Sequence, residues 1–408
     1  PEKYSADMTD AESKVVKAYR TIFQDEKISL SDNFFSLGGD SIQAIRIISL
    51  LSDYSIKVND ILNFPVLKDL SKFIQKNSNY ISQDEVVGEV ELLPSHRRFS
   101  ESISQSVINH FNQSLLIKSN EKLDLKLVNR VYHTLLRHHD SLRISYNYGE
   151  NFSTLLDYKE LKNKQDIILI KCRKSEMENY ATKEHQTLSL KDGLVFKIVV
   201  FDTEEGEFLL FILHHFTSDA VTLRILFDDF TNLYSHNNDL ASLPLKTVSV
   251  KQFASELRDK SITDLSEDME FWEENQITFD NSKYSPCKYS EAKKMEVKID
   301  QVLTSRVQKL VNNNSEIRLH DLLLSCFLES YAKIYKREKQ LSIDMEGHGR
   351  SSEVMDLNIS RTVGWFTTVY PLLFNLETFN KSFMSKIDYV HDKMESVPNG
   401  GLSYELYL

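Results

Sequence analysis

Val15, Tyr19 and Ile22 fall on one stripe of a helix whose start is marked by Thr9 and Glu12 at capping-box spacing, so the pattern predicts an amphipathic helix there. A loop holding Asp32, Asn33, Gly38 and Gly39 leads to a second helix from Ser41. Its Ile42, Ile45, Ile48 and Leu51 repeat at the period that buries one face. A third helix is expected to start at Pro65 with Leu67, Leu70 and Ile74 inward, because a first-turn amide has no intrahelical partner for proline to remove. Between 76 and 91 the chain turns to Asn, Ser, Gln, Asp and Glu with almost no apolar period, which reads as a linker.

Past that stretch, helical and strand patterns mix. Residues 123–137 carry Leu127, Val131 and Leu135 at helical spacing, and 142–146 alternate like a half-buried strand. Residues 207–215 form an apolar strand rich in Phe, Leu and Ile, followed by a helix over 221–234. A further helix is expected over 319–335, then strands at 341–345 and 366–374. With no repeat and no low-complexity tract, the pattern alone supports an α/β sandwich of unspecified topology.

Composition narrows the function classes. The 408 residues allow two or three domains, and 41% hydrophobic with 27% charged residues is a globular balance. Sixty acidic against 49 basic residues give a net charge of −11, which opposes steering toward a phosphate backbone, so nucleic acid is not an expected partner. Cys172, Cys287 and Cys326 are odd in number and far apart, and suit idle or buried thiols in a reducing cytosol. The longest apolar runs, such as 208–213, are too short to span a bilayer, and the N-terminus lacks signal-peptide order, so a cytoplasmic protein with no membrane association is expected. A chain opening at Pro1 suggests a segment of something longer.

In Phe34-Phe35-Ser36-Leu37-Gly38-Gly39-Asp40-Ser41-Ile42 one serine stands at the mouth of a helix after a double glycine. A phosphodiester there would sit at the positive end of the helix dipole, beside free backbone amides. In isolation, Asp40 or Ser41 reads equally as a plain N-cap. A hydrolase elbow fits less well, since it needs glycine two residues after the serine and Gln43 stands there. The segment, with Asn63-Phe64-Pro65, resembles the peptidyl-carrier signature of nonribosomal peptide synthetases. That resemblance implies 4′-phosphopantetheine on Ser41, attached by a phosphopantetheinyl transferase, with the substrate on its thiol.

His214-His215-Phe216-Thr217-Ser218-Asp219 closes the apolar strand. Adjacent strand residues face opposite sides, so the two imidazoles cannot readily share a metal, and none is expected. Packing alone would account for such a pair. The segment resembles the HHxxxDG signature of condensation and epimerisation domains, in which the second histidine is the catalytic base. The match implies His215 for that role, with His214 and Asp219 structural. Ala220 replaces the usual glycine, which would cost activity if the position needs positive φ or a close backbone approach.

Glu346-Gly347-His348-Gly349-Arg350 and Arg361-Thr362-Val363-Gly364-Trp365-Phe366-Thr367, followed by Tyr370-Pro371, look like epimerisation-domain motifs, and Pro398-Asn399-Gly400-Gly401-Leu402-Ser403-Tyr404 is similar to a later one. Inverting an α-carbon needs a proton removed from one face and one returned to the other. His215 titrates near neutrality, and Glu346 suits the complementary role if burial raises its pKa; either can be the one that deprotonates the L substrate. Arg350, Trp365 and Tyr370 are supporting residues in this reading, and the start of the helix after Asp219 is a candidate stabiliser of developing charge.

The resemblance implies a small all-α four-helix carrier domain (1–78), a linker (79–91) and an α/β chloramphenicol-acetyltransferase-like two-lobed domain, with lobes at 92–265 and 266–408. It also implies an upstream adenylation domain and a downstream condensation domain as partners. Departures are a loose match at Leu93-Pro94-Ser95-His96-Arg97-Arg98-Phe99, an approximate one at His138-His139-Asp140-Ser141-Leu142-Arg143, and Ser351 where an acidic residue is common. The chain ends at Leu408, ahead of the family's Asn-Tyr-Leu-Gly stretch, so the second lobe is expected to be incomplete. A condensation domain that forms peptide bonds, or a degenerate module that only docks a carrier, are the alternatives.

Overall fold

In the computed structural model the Thr9 hydroxyl accepts the Glu12 amide and the Glu12 carboxylate takes the Thr9 amide, so helix α1 (Asp10–Phe23) starts where the sequence places it. The structure describes residues 8–51, 54–76, 81–261, 268–275, 291–312, 314, 317–350 and 357–407. Helix α2 (Ser41–Leu50) follows, then α3 (Val58–Asn63) and α4 (Leu67–Phe73), with short strands β1 (Tyr54–Ser55) and β2 (Gln75–Lys76) paired antiparallel. Val15, Tyr19, Phe34, Ile45, Ile48, Leu67 and Leu70 form the core of this four-helix unit.

Three expectations change here. Helix α3 is too short to show a period in the sequence. Helix α4 begins two residues after Pro65, whose carbonyl instead accepts the Phe34 amide at 2.8 Å and ties the long loop to the helix. Ile42 is 43% exposed, because it lies in the first turn of α2, ahead of the buried Ile45 and Ile48.

Part of the segment read as linker is structured. Strand β3 (Gly88–Glu91) pairs antiparallel with a later strand, the Val86 amide donates to Asp140, and Gln83 bonds Lys246, so 81–91 is held to the α/β unit. Ile81, Val86 and Val90 do this by packing on that unit, although their spacing matches no single period. The expected division near 265 lies outside the described residues, as do Cys287 and Ser351.

In the α/β unit, α5 (Pro94–Ser102) leads to β4 (Asn112–Lys118), α6 (Leu125–His138), β5 (Ile144–Ser145), β6 (Phe152–Leu155) and α7 (Tyr158–Leu161). Then come β7 (Ile168–Lys171), α8 (Met177–His185), β8 (Phe196–Thr203), β9 (Gly206–His214) and α9 (Ala220–Ser235). The strand expected at 142–146 shrinks to β5, because 140–143 coil into a 3-10 turn around the buried Arg143. One sheet has the order β4-β9-β8-β7, with only β7 running parallel to its neighbour. Another has the order β3-β6-β5. In β9, Leu209, Phe211 and Leu213 face a cluster with α6 and α9, while Phe208, Leu210 and Ile212 face Met177 of α8. Both faces are covered, which is why 208–213 read as an unbroken apolar run. The remaining elements are α10 (Val250–Ser261), α11 (Asp268–Asn275), α12 (Gln301–Asn312), α13 (Leu319–Ile334), β10 (Gln340–Gly347), β11 (Thr368–Asn375), α14 (Phe383–Glu395) and α15 (Leu402–Tyr407). Strands β10 and β11 pair antiparallel, and the chain between them returns to the end of β9, where the candidate site forms.

Candidate active site

Strand β9 ends at His214, which the sheet and the next turn immobilise. Its Nε2 donates to the Ile108 carbonyl at 2.6 Å, and its Nδ1 accepts the Phe216 amide at 3.1 Å. Both nitrogens are used, burial holds its pKa down to about 4, and the ring is structural. His96, on α5, is likewise buried and held to about 3 by desolvation, with Nε2 2.8 Å from the Phe216 carbonyl. A buried neutral histidine must be charged when acid is added. Stability from these two is therefore present above the ordinary histidine pKa and is lost as pH falls from 6.5 toward 4, by about 1.4 kcal/mol per histidine per pH unit. Thermal unfolding across that window is expected to show a steep fall in Tm, which His96→Gln makes shallower.

His215 opens the 3-10 turn after the strand and points elsewhere. Its ring stacks on Phe111 at 4.9 Å and meets Trp365, tilted, at 4.3 Å, the three rings forming a triangular cluster. The Gln113 amide nitrogen of β4 lies 2.8 Å from Nε2, and Nδ1 is buried without a hydrogen-bond partner. Burial lowers the His215 pKa, and the neighbouring backbone, Asp219 and Glu346 oppose that shift, so the ring is neutral at pH 7.

Asp219 caps α9, accepting the Thr222 amide at 2.7 Å. Its two oxygens also receive one Arg350 nitrogen at 3.0 and 3.1 Å, and the Phe366 amide reaches it at 3.2 Å. Arg350 further donates to the Ile359 and Thr362 carbonyls and lies over the Phe366 ring. Asp219 and Arg350 are thus the buried joint that carries the segment after β10 to the turn that holds His215. The first-turn amide of Thr222 is thereby taken by Asp219. Ala220 is exposed, occupies the first helical position and has no positive φ, so its methyl costs no backbone strain. Ala220→Gly is expected to change turnover less than about twofold and to lower stability by under about 1 kcal/mol, read by kinetics and denaturation.

The glycines of 346–350 have packing reasons. Gly349 has φ +62°, and a Cβ there would overlap the Phe366 carbonyl; one on Gly347 would meet Thr368 and the Gly400 carbonyl. Glu346 itself is exposed at the end of β10, opposite Val369, so the burial that the sequence reading called for is absent. Its carboxylate acts electrostatically on both His215 and Arg98. Trp365 meets His215, whereas Tyr370 lines a cavity of about 430 Å³ with Arg98, Asp344 and Tyr404.

Sequence reasoning missed Gln113, Phe111 and Arg98. Gln113 belongs to a strand with no motif and Phe111 just precedes it, and only register, with Gln113 opposite Leu213 and the His215 amide on the Phe111 carbonyl, brings them to the turn. Arg98 sits in the loosely matching segment at 93–99; it pairs with Glu405 and lies 5.8 Å over Trp365. The other approximate motif builds a second buried network, in which His139 bonds Asp229 at 2.9 Å and Arg361 takes its other oxygen. Burial alone would raise Asp229, but Arg361 and His139 hold it to about 2. His138, His139 and Asp229 approach a metal-ligand spacing, yet the Arg361 charge already occupies the carboxylate.

On the carrier unit, Ser41 is the first residue of α2, between exposed Asp40 and Ile42 and after Gly38, whose φ is +82° and which has open space around it. Asp40 is the N-cap, accepting from Ile42 at 2.8 Å and Gln43 at 3.0 Å, so those amides are not free for a phosphodiester as expected. An open loop, an exposed helix start and an apolar neighbour fit a long tethered arm on Ser41, and the arm would gain its anchoring from the covalent bond.

Residues 88–407 match the family model described as Condensation domain, and residues 14–74 match the one described as Phosphopantetheine attachment site. The chain belongs to the condensation domain family, joined to a carrier domain whose serine takes 4′-phosphopantetheine, as in nonribosomal peptide synthetases. Among relatives, it is 31% identical to bacitracin synthase 2 of Bacillus licheniformis over 98% of this chain and 16% of that protein. It is 28% identical to tyrocidine synthase 1 of Brevibacillus parabrevis over 99% of this chain and 38% of that protein. The chain thus spans well under half the length of these relatives. The fold is that of the epimerization domain from the third module of tyrocidine synthetase B, with TM-score 0.66, 22% identity and coverage of 80% of this chain and 77% of that one. The X-domain from teicoplanin biosynthesis also matches, with TM-score 0.60, 15% identity and coverage of 80% and 76%.

Proposed function

We propose that the chain epimerises the α-carbon of an L-aminoacyl or peptidyl thioester carried on the phosphopantetheine of Ser41, in nonribosomal peptide synthesis. The observation that supports this best is the meeting of His215 with the two segments that resemble epimerisation motifs: Trp365 lies 4.3 Å from the imidazole, and Glu346 acts on its charge. The attached arm supplies the thioester that acidifies the α-hydrogen. His215, neutral at pH 7, accepts that proton, and the Phe111 ring stacked on it with Trp365 alongside holds its plane. Glu346, exposed and therefore able to exchange protons with solvent, handles the proton on the other face. Upstream adenylation and downstream condensation domains are the partners this reading requires.

The test charges Ser41 with an L-aminoacyl pantetheine, incubates the protein in deuterated water, and analyses the released acid by mass and chirality. Deuterium at the α-carbon with D product supports epimerisation, and Ser41→Ala should abolish both. Amide product on adding a second acyl carrier would replace the reading with condensation. Neither product would leave a docking module.

A further inference from the structure

The neutral imidazole of His215 has one in-plane lone pair free for a proton, and in this structure that lone pair has a partner. The Gln113 amide nitrogen lies 2.8 Å from Nε2, and the Ser218 hydroxyl lies 3.3 Å from Gln113 Oε1. An amide oxygen cannot donate, so Ser218 donating to Oε1 makes the other end of the side chain a donor to Nε2. A ring that accepts at Nε2 carries its proton on Nδ1, the buried nitrogen without a hydrogen-bond partner. The cap is built into the fold. Gln113 stands opposite Leu213 in the β4–β9 register, and the backbone link from the His215 amide to the Phe111 carbonyl at 2.7 Å fixes the two strands beside the turn.

We infer that Gln113 is a positioning residue for His215: it holds the Nδ1–H tautomer with Nε2 poised to accept, and its amide turns over when Nε2 becomes protonated. This rests on the proposed epimerisation. In the transfer, the α-carbon C–H bond breaks as the Nε2–H bond forms, the electron pair passes into the thioester carbonyl, and Nδ1 keeps its proton. Substrate takes the place of the Gln113 amide on the single lone pair. The resulting imidazolium then presents Nε2–H, which Oε1 accepts once the amide has turned. Ser218 permits both states, since its hydroxyl can donate to Oε1 or swing to the His214 carbonyl 3.2 Å away, leaving its oxygen to accept from the turned amide. The charged groups facing His215 are Asp219 on its own turn, Arg350 paired with Asp219, Glu346 from β10 and, through Trp365, Arg98 from α5; His214 is neutral. Gln113 is an uncharged group on Nε2, so its exchange for a charged one is a clean perturbation.

The full chain labelled with ¹⁵N-histidine, with His215→Asn assigning the signal, reports the tautomer without any need for turnover. Wild-type protein at pH 8 should show Nδ1 protonated and Nε2 as acceptor. In Gln113→Leu the Nδ1–H form should drop to a mixture, with exchange turnover down about tenfold and KM within about twofold. Gln113→Glu should reverse the tautomer and raise the His215 titration, and with it the acid limb of exchange, by about one pH unit or more. Unchanged ¹⁵N shifts and titration in both variants would overturn the inference. Shifts that change as expected in a wild-type protein without α-exchange would sustain the Gln113–His215 linkage and remove the epimerase reading instead.

Discussion

Replacing His215 by alanine is expected to cut α-deuterium incorporation into the Ser41-bound substrate by about 10²–10⁴, the usual contribution of a positioned general base. Folding should suffer far less. The ring contacts Phe111 and Trp365, and losing such contacts costs about 1 kcal/mol, visible as a modest shift in denaturation midpoint. The wild-type rate should hold near neutrality and decline only below pH 6.5, because burial, the largest influence, lowers the His215 pKa and the base must be neutral to work. A variant that keeps exchange within about threefold of wild type would assign the proton transfer to another group.

Asp219→Ala should have the largest effect on stability. It strands the fully buried Arg350 guanidinium, whose pKa burial already lowers, and breaking one side of such a pair costs about 3–5 kcal/mol. The lost cap on α9 adds about 1 kcal/mol. Against a typical domain stability of about 5–15 kcal/mol, that loss removes a large share of the total. Asp219→Asn keeps a side-chain oxygen for the Thr222 amide while losing the charge, and should fall between the two. Urea unfolding of all three proteins checks the order. A cost below about 1 kcal/mol for the alanine variant would mean that Arg350 finds another partner.

Both predictions concern a joint whose halves were readable in the sequence as separate motifs. The Thr9–Glu12 capping box, the helices over Leu127–Leu135 and Leu319 onward, and the apolar run of β9 were legible because capping and periodicity are local properties. Helix α3, the true start of α4 and the order within 81–91 were not, because they depend on a carbonyl at Pro65 or a buried Asp140 supplied from elsewhere in the chain. The doubt attached to Ala220 dissolved once its backbone was seen to be ordinary right-handed helix. Glu346, for whose role the sequence reading made burial a condition, stands exposed at its strand end, because local pattern does not tell which strand ends are covered.

What the sequence determined by itself was the pair of domain types, because the short stretches around Ser41, His215 and Gly349 resemble the motifs of those families residue by residue. Tertiary structure alone decided which groups surround His215: Gln113 on its nitrogen, Phe111 stacked on its ring with Trp365 alongside, and Arg350 locked to Asp219 nearby. Strand register and the packing of two distant segments create those contacts, and neither leaves a periodic trace along the chain.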